Sequence, residues 1–257
     1  MTFVHAIILG IIEGVTEFLP ISSTGHLVLA STVLGIPNTE FLKSFEVMIQ
    51  LGAILAVVYL YRDVFLRNWE VLKKVGVAFV PTGLIGLALY QTIKRYLLGN
   101  NYVVVGALFL GGVILIAFEE WHKGREPRLH GIVELDYKDS AWIGVAQSVA
   151  LIPGVSRSAA TAVGGMLLGL DRKTAVEFSF LLAVPTLAAA TGLDLLKSGF
   201  SFSSHELALL AVGFGTTFLV ALGAVRFLLD HVKEKTLVSF GVYRMVLAVL
   251  FFIFVLK

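Results

Sequence analysis

The sequence predicts an all-α polytopic membrane protein, in which six transmembrane helices and two re-entrant helical hairpins form an inverted-topology repeat. Three observations carry this reading. Of the 257 residues, 57% are hydrophobic and only 15% charged, against about 25% charged in soluble chains. Apolar segments recur to the last residue, several of them approaching the ~20 residues a bilayer-crossing helix needs. Two further apolar stretches, 1–36 and 141–170, are interrupted by Pro, Gly, Ser and charge, so each half is too short to span. A formal charge of +2 is too small to argue for nucleic acid, and without cysteine there are neither disulfides nor thiol chemistry.

The first interrupted stretch carries Glu13-Gly14-Val15-Thr16-Glu17-Phe18-Leu19-Pro20-Ile21-Ser22-Ser23-Thr24-Gly25-His26 between two apolar runs. It lacks the basic start of a signal peptide. Glu13 and Glu17 are four apart and share one helix face. Pro20 ends that helix, having no N–H and disfavouring helix before it. Ser22, Ser23 and Thr24 are then expected on a non-helical crossing, capping a second helix. Spans are expected at 44–61, 75–97 and 102–118, then a second hairpin at 141–170, then spans at 174–196, 206–229 and 238–256. Hairpins of this kind are tolerated at membrane depth where they are buried in protein or line a wet cavity.

The hairpins resemble each other. Pro20 and Ser23 align with Pro153 and Ser156 at one offset, and Glu46 and Glu177 each open a later apolar helix. The chain is thus expected to be a single membrane domain, 1–257, with one repeat over about 1–118 and a second over about 141–257. Three spans separate the hairpins, an odd number, so they enter from opposite faces, and their tips meet near the midplane. Basic residues assign the faces. Arg62, Arg67, Lys73, Lys74, Lys123, Arg125, Arg128, Lys138, Arg172, Lys173, Arg226, Lys233 and Lys235 fall on one side; only Lys43, Lys94, Arg95, Lys197 and Lys257 fall on the other. The richer side is expected to be cytoplasmic, with both termini and the Glu/Ser/His hairpin external.

Ionisable groups at membrane depth mark function by default. Gly154, Ser156, Arg157 and Ser158 lead into a helix of small residues, so amides, a helix N-terminus and a planar cationic fork are presented together, which suits phosphate. Glu13 and Glu17 would repel that phosphate unless a divalent cation, Mg²⁺ or Ca²⁺, bridged them. Ser23 is a candidate nucleophile or water-positioning group, and His26 a candidate acid or base. Each residue also has a structural reading: an ion pair of Glu13 or Glu17 with Arg157, capping for Ser22 and Thr24, and a satisfied buried imidazole for His26. Glu46, Gln50 and Glu177 stand either in support of the site or as bonds within the bundle. Asp194 and Arg244 read as interfacial or paired.

These motifs resemble the undecaprenyl-diphosphate phosphatase family, also called bacitracin-resistance proteins. The stretch from Glu13 to Leu27 is similar to its first signature and Pro153 to Ser158 to its second, with further likeness at Phe45–Gly52 and Glu177–Pro185. The resemblance runs almost end to end, and the region 120–140 is the least family-like. It implies a bacterial inner-membrane enzyme that removes the terminal phosphate of the C55 isoprenyl diphosphate, yielding the lipid carrier for cell-wall synthesis. It further implies a divalent-metal requirement, a site facing outward, and bacitracin as a competitor for the substrate. The functional residues it carries over are Glu13, Glu17, Ser23, His26 and Arg157, with Ser22, Thr24, Ser156 and Ser158 as phosphate contacts. The expected partners are this lipid substrate and the membrane lipids, with a homodimer left open. The rival class is a transporter or lipid flippase, because inverted repeats with broken helices are transporter architecture.

Overall fold

The computed structural model describes residues 1–97, 100–198 and 202–256. Its helices are α1 (Phe3–Thr16), α2 (Ser23–Val33), α3 (Glu40–Leu60), α4 (Arg62–Arg67), α5 (Trp69–Thr92), α6 (Asn101–His122), α7 (Tyr137–Gln147), α8 (Arg157–Leu167), α9 (Arg172–Ser198), α10 (Ser204–Glu234) and α11 (Val238–Phe251). No strand forms among the described residues, where Leu129 and Leu170 make an isolated backbone bridge. Five helices, α3, α5, α6, α9 and α10, are long and apolar enough to cross a membrane. Where a sixth span was expected, α11 is shorter and continues as a π-helical turn, Phe252–Leu256. No side-chain hydrogen bond caps its start.

The long helices run beyond their apolar windows because their polar ends are good caps. Ser203 and Glu206 form a capping box at the start of α10, and Lys233 pairs with Asp230 at 2.7 Å in its last turn. Pro81 and Pro185 lie inside α5 and α9 without ending them.

Each interrupted stretch is two short helices packed on each other across a turn, α1 with α2 and α7 with α8. The outer arms lie on long helices of the other half of the chain: α1 packs along α10 and α7 along α5, while α3 meets α9 and α6 meets α11. Glycine permits the first two contacts. A Cβ at Gly14 would come 2.8 Å from the Thr217 carbonyl oxygen, and one at Gly144 would overlap the Ala78 backbone.

One end of the bundle collects the basic residues. The end of α6, the starts of α9 and α11 and the end of α10 surround a cavity of about 780 Å³ lined by Lys123, Arg125, Arg172, Lys173 and Lys233. Arg172 grips Glu119 at 2.7 and 3.1 Å, and Glu119 also accepts the Leu237 N–H at 2.9 Å. Lys74 of α5 donates to the Val133 carbonyl at 2.6 Å. Trp69 and Trp121, both exposed, sit on α5 and α6 at this end, with Arg125 stacked 3.5 Å from the Trp121 ring centre, and Trp142, also exposed, lies in the middle of α7. Lys257, counted on the sparser side, lies outside the described residues.

Candidate active site

The two turns solve the same problem differently. In the first, α1 already ends at Thr16, with Glu17 as its C-cap, so the helix stops before Pro20. The Ile21 N–H then bonds the Leu19 carbonyl across Pro20 at 2.7 Å, a three-residue turn that suits the fixed proline φ. Ser22 follows at φ 71°, the one non-glycine residue at positive φ among the described residues. Its hydroxyl caps α2 by accepting the Gly25 N–H at 3.3 Å. Ser23 and Thr24 therefore lie in the first turn of α2 rather than on the crossing.

In the second turn the positive φ, 92°, falls on Gly154. A Cβ there would stand 2.5 Å from the Val104 carbonyl oxygen, so the turn can lie against α6 only as glycine. Ser156 caps α8 through the Ala159 N–H at 3.2 Å. Ser158 is 2.9 Å from Ser156 and donates to the Leu19 carbonyl at 2.8 Å. The tips of the hairpins thus touch.

Three signature residues form a chain across this junction. The Ser23 hydroxyl donates to Glu17 Oε2. Glu17 Oε1 accepts from Arg157 Nη2 at 3.2 Å and Nε at 3.4 Å, and Arg157 Nη1 donates to the Ser179 carbonyl at 2.7 Å. Of the five N–H groups a guanidinium carries, these bonds leave two unspent. A nucleophile bonded to a base that is itself oriented by a third group is the recurring geometry of an activated hydroxyl.

Glu17, Ser23 and Arg157 face a cavity of about 140 Å³. Ser22, Thr24, Gln50, Val155 and Ser156 also line it, and its far wall is Thr82, Gln147 and Thr186. Gln50, Thr82 and Thr186 sit near the middles of α3, α5 and α9, which puts the cavity at mid-depth of the bundle. The Gln147 amide donates to the Thr82 and Thr186 hydroxyls at 2.9 and 3.2 Å; these in turn donate to the Gly144 and Leu182 carbonyls. That wall is polar but already satisfied, whereas Arg157 keeps two N–H groups unspent.

The other candidates sit around this core. Glu13 is 0% exposed, and neither carboxylate oxygen has a hydrogen-bond partner; Glu17, Glu46 and Arg157 are the charges acting on it. Glu46 is half-buried, with Oε1 also unpartnered. His26 is turned away from Ser23: Nδ1 lies 2.8 Å from the Ser22 carbonyl and Nε2 lies 2.8 Å from the Tyr243 hydroxyl, with the two rings parallel to within 5°. A carbonyl only accepts, so Nδ1 carries the hydrogen, and the neutral ring accepts from Tyr243 at Nε2. Glu177 is elsewhere, 3.6 Å from Lys173 near the start of α9.

Sequence reasoning passed over Thr82, Gln147 and Thr186, although the triplet Val-Pro-Thr at 80–82 and again at 184–186 was a visible signal. It also took Arg244 for interfacial or paired. That residue is 1% exposed, and among the described residues no acidic group acts on it.

The family model for the bacitracin resistance protein BacA matches residues 6–250. The chain belongs to the BacA family. It is 51% identical to an undecaprenyl-diphosphatase of Aquifex aeolicus over 256 residues, covering 100% of both chains. It is 50% identical to one of Sulfurihydrogenibium sp. (98% of this chain, 99% of the relative) and 46% identical to one of Wolinella succinogenes (98% and 97%). Within this BacA-family chain, the Ser23–Glu17–Arg157 chain lies where the two signature turns meet.

Proposed function

We propose that this protein hydrolyses undecaprenyl diphosphate to undecaprenyl phosphate and inorganic phosphate at the cavity between the hairpin tips. The observation that carries the reading is the Ser23–Glu17–Arg157 chain opening on that cavity in a member of the BacA family. Arg157 and the amides at the start of α8 bind the diphosphate, and Ser22, Thr24 and Ser156 contribute hydroxyls around it, while Ser158 spends its hydroxyl holding the first turn at Leu19. Ser23 Oγ attacks the terminal phosphorus, its proton passes to Glu17, and the bond to the bridging oxygen breaks. The lipid monophosphate leaves, and water then releases the phosphate from Ser23. Most of the rate gain comes from fixed positive charge facing the charge that develops in transfer. His26, bonded to the Ser22 carbonyl and to Tyr243, does not line the cavity, and no proton step is assigned to it.

A divalent cation fits the donors. Glu13 supplies two buried carboxylate oxygens without partners beside Glu17, and Mg²⁺ is commonly held by one or two carboxylates together with substrate phosphate oxygens. No group of three acidic or histidine ligands exists among the described residues. Glu13 and Glu17 would hold the ion, which when bound offsets phosphate charge.

The reading extends to a single inverted-repeat domain in a bacterial inner membrane, with α1–α2 and α7–α8 as re-entrant hairpins. The cross-paired contacts, α1 on α10 and α7 on α5, support it. In this arrangement the basic end is cytoplasmic, the active site opens to the external face and both termini are external. Bacitracin would compete for the same diphosphate.

Phosphate release by the detergent-solubilised wild type and Glu17→Gln on a C55 diphosphate, with and without EDTA, tests the reading. Wild-type release that is lost both in the variant and in EDTA is expected. Undiminished release by Glu17→Gln moves the chemistry elsewhere, and no release by metal-replete wild type favours a transporter, which needs a sealed membrane.

A further inference from the structure

Among the described residues Arg244 is the least exposed cation, 1% exposed in the middle of α11, and no carboxylate among them pairs with it. Removing a guanidinium from water without a counter-charge costs several kcal/mol, so its surroundings must return much of that. They do so through four backbone carbonyls. Nη1 donates to Pro20 O at 3.3 Å and Nη2 to Gly154 O at 3.2 Å, while Nη2 and Nε reach Ala107 O and Leu108 O of α6 at 3.1 and 3.3 Å. Gly111 of α6 makes room, since a Cβ there would fall on the guanidinium itself.

The choice of carbonyls is informative. Pro20 is the pivot of the first hairpin turn, and Gly154 is the left-handed residue of the second. One side chain from a third element therefore holds both turns at their points of reversal and ties them to α6. Ser23 lies three residues beyond Pro20, and Arg157 three residues beyond Gly154. Any change in the separation of the turns moves the hydroxyl relative to the guanidinium.

We infer that Arg244 is a positioning residue, a clasp that sets the spacing between Ser23–Glu17 and Arg157 without touching the substrate. The inference rests on the phosphatase reading for its kinetic part only. Lysine keeps the charge but has no planar fork to serve four separate carbonyls, and a misplacement of about 1 Å in such a site costs on the order of 10²-fold in rate.

The test uses Arg244→Lys and Gly111→Ala, the second displacing the guanidinium while leaving the arginine in place. Steady-state kinetics on the C55 diphosphate should show kcat down by about 10²-fold in both, with KM within about threefold of wild type. Nitroxide labels at Thr24→Cys and Val155→Cys, in a chain with no cysteine of its own, read the clasp independently of turnover. Their dipolar coupling should define one narrow distance in the Arg244 background and a broadened or longer one with either substitution. Unchanged coupling, or kcat within about twofold of wild type in both variants, overturns the clasp. An inactive wild type with altered coupling overturns the phosphatase reading and leaves the clasp standing. Should Arg244→Lys fail to fold, Gly111→Ala decides alone.

Discussion

Glu17 spends one oxygen on Ser23 and the other on Arg157, so it can be orienter and base together only while both partners are present. With Ser23 as the proposed attacking group, Ser23→Ala should reduce turnover by about 10²-fold or more; near-normal phosphate release would remove it from that role. Arg157→Lys is expected to lose about 2–4 kcal/mol of transition-state stabilisation, because a point charge cannot serve Glu17, the Ser179 carbonyl and a phosphate at once. That loss is read as a fall in kcat/KM with the melting temperature recorded alongside. At this scale the signature residues were legible, because charge and hydroxyl groups stand out in apolar sequence. Thr82 and Thr186 left only the repeated Val-Pro-Thr triplet as a mark, since a threonine in an apolar span has the same appearance whether it lines a cavity or packs silently, and Gln147 left none. The charge of Arg244 was visible, but its four carbonyl partners have no side-chain identity to read.

The hairpin turns show what can be inferred about an element and what escapes. Pro20 and Pro153 correctly announced both reversals. The prolines align at an offset of 133, yet the capping serines, Ser22 and Ser156, do not. The second turn has one more residue because Gly154 takes the positive φ, whereas in the first turn the cap itself takes it. Ser22→Gly should therefore be nearly neutral in stability, glycine relieving the backbone while the cap is lost at a few tenths of a kcal/mol. Ser156→Ala has no such compensation and should cost about 1 kcal/mol. Paired thermal melts in detergent compare them, and equal losses would contradict this account of the turns. The helix ends were misjudged for a related reason. Capping by Ser203 and Glu206 extends α10 outside its apolar window, and hydropathy does not register caps. The glycine contacts of the outer arms make a further case. Gly144→Leu should drive α7 off α5 and lower stability by about 1–3 kcal/mol, with the cavity wall at Thr82 and Gln147 disturbed in consequence.

For the whole molecule, composition was enough to announce a membrane protein, and the count of long apolar segments nearly so; the short α11 is the exception. The interlocking of the two halves was legible only as a repeat, because which helix an arm rests on is decided by backbone approach at glycines. The topology is directly testable, since the chain has no cysteine. In intact cells a membrane-impermeant thiol reagent should label Glu40→Cys and not Lys123→Cys, and inverted vesicles should reverse the pattern. Labelling of both from one side would overturn the assignment of faces.

The placement of Trp69, Trp121 and Trp142 has a practical corollary. Trp69 and Trp121 lie at the basic rim, whereas Trp142 sits in the middle of the α7 arm, five residues before Gln147 of the cavity wall. Ligand titrations followed by tryptophan fluorescence would read events at the Ser23–Arg157 junction only through Trp142. Brominated lipids, which quench at bilayer depth, would instead report how that rim sits in the headgroup layer. An indole placed at Val155, in the wall of the cavity, would give the junction an optical signal of its own.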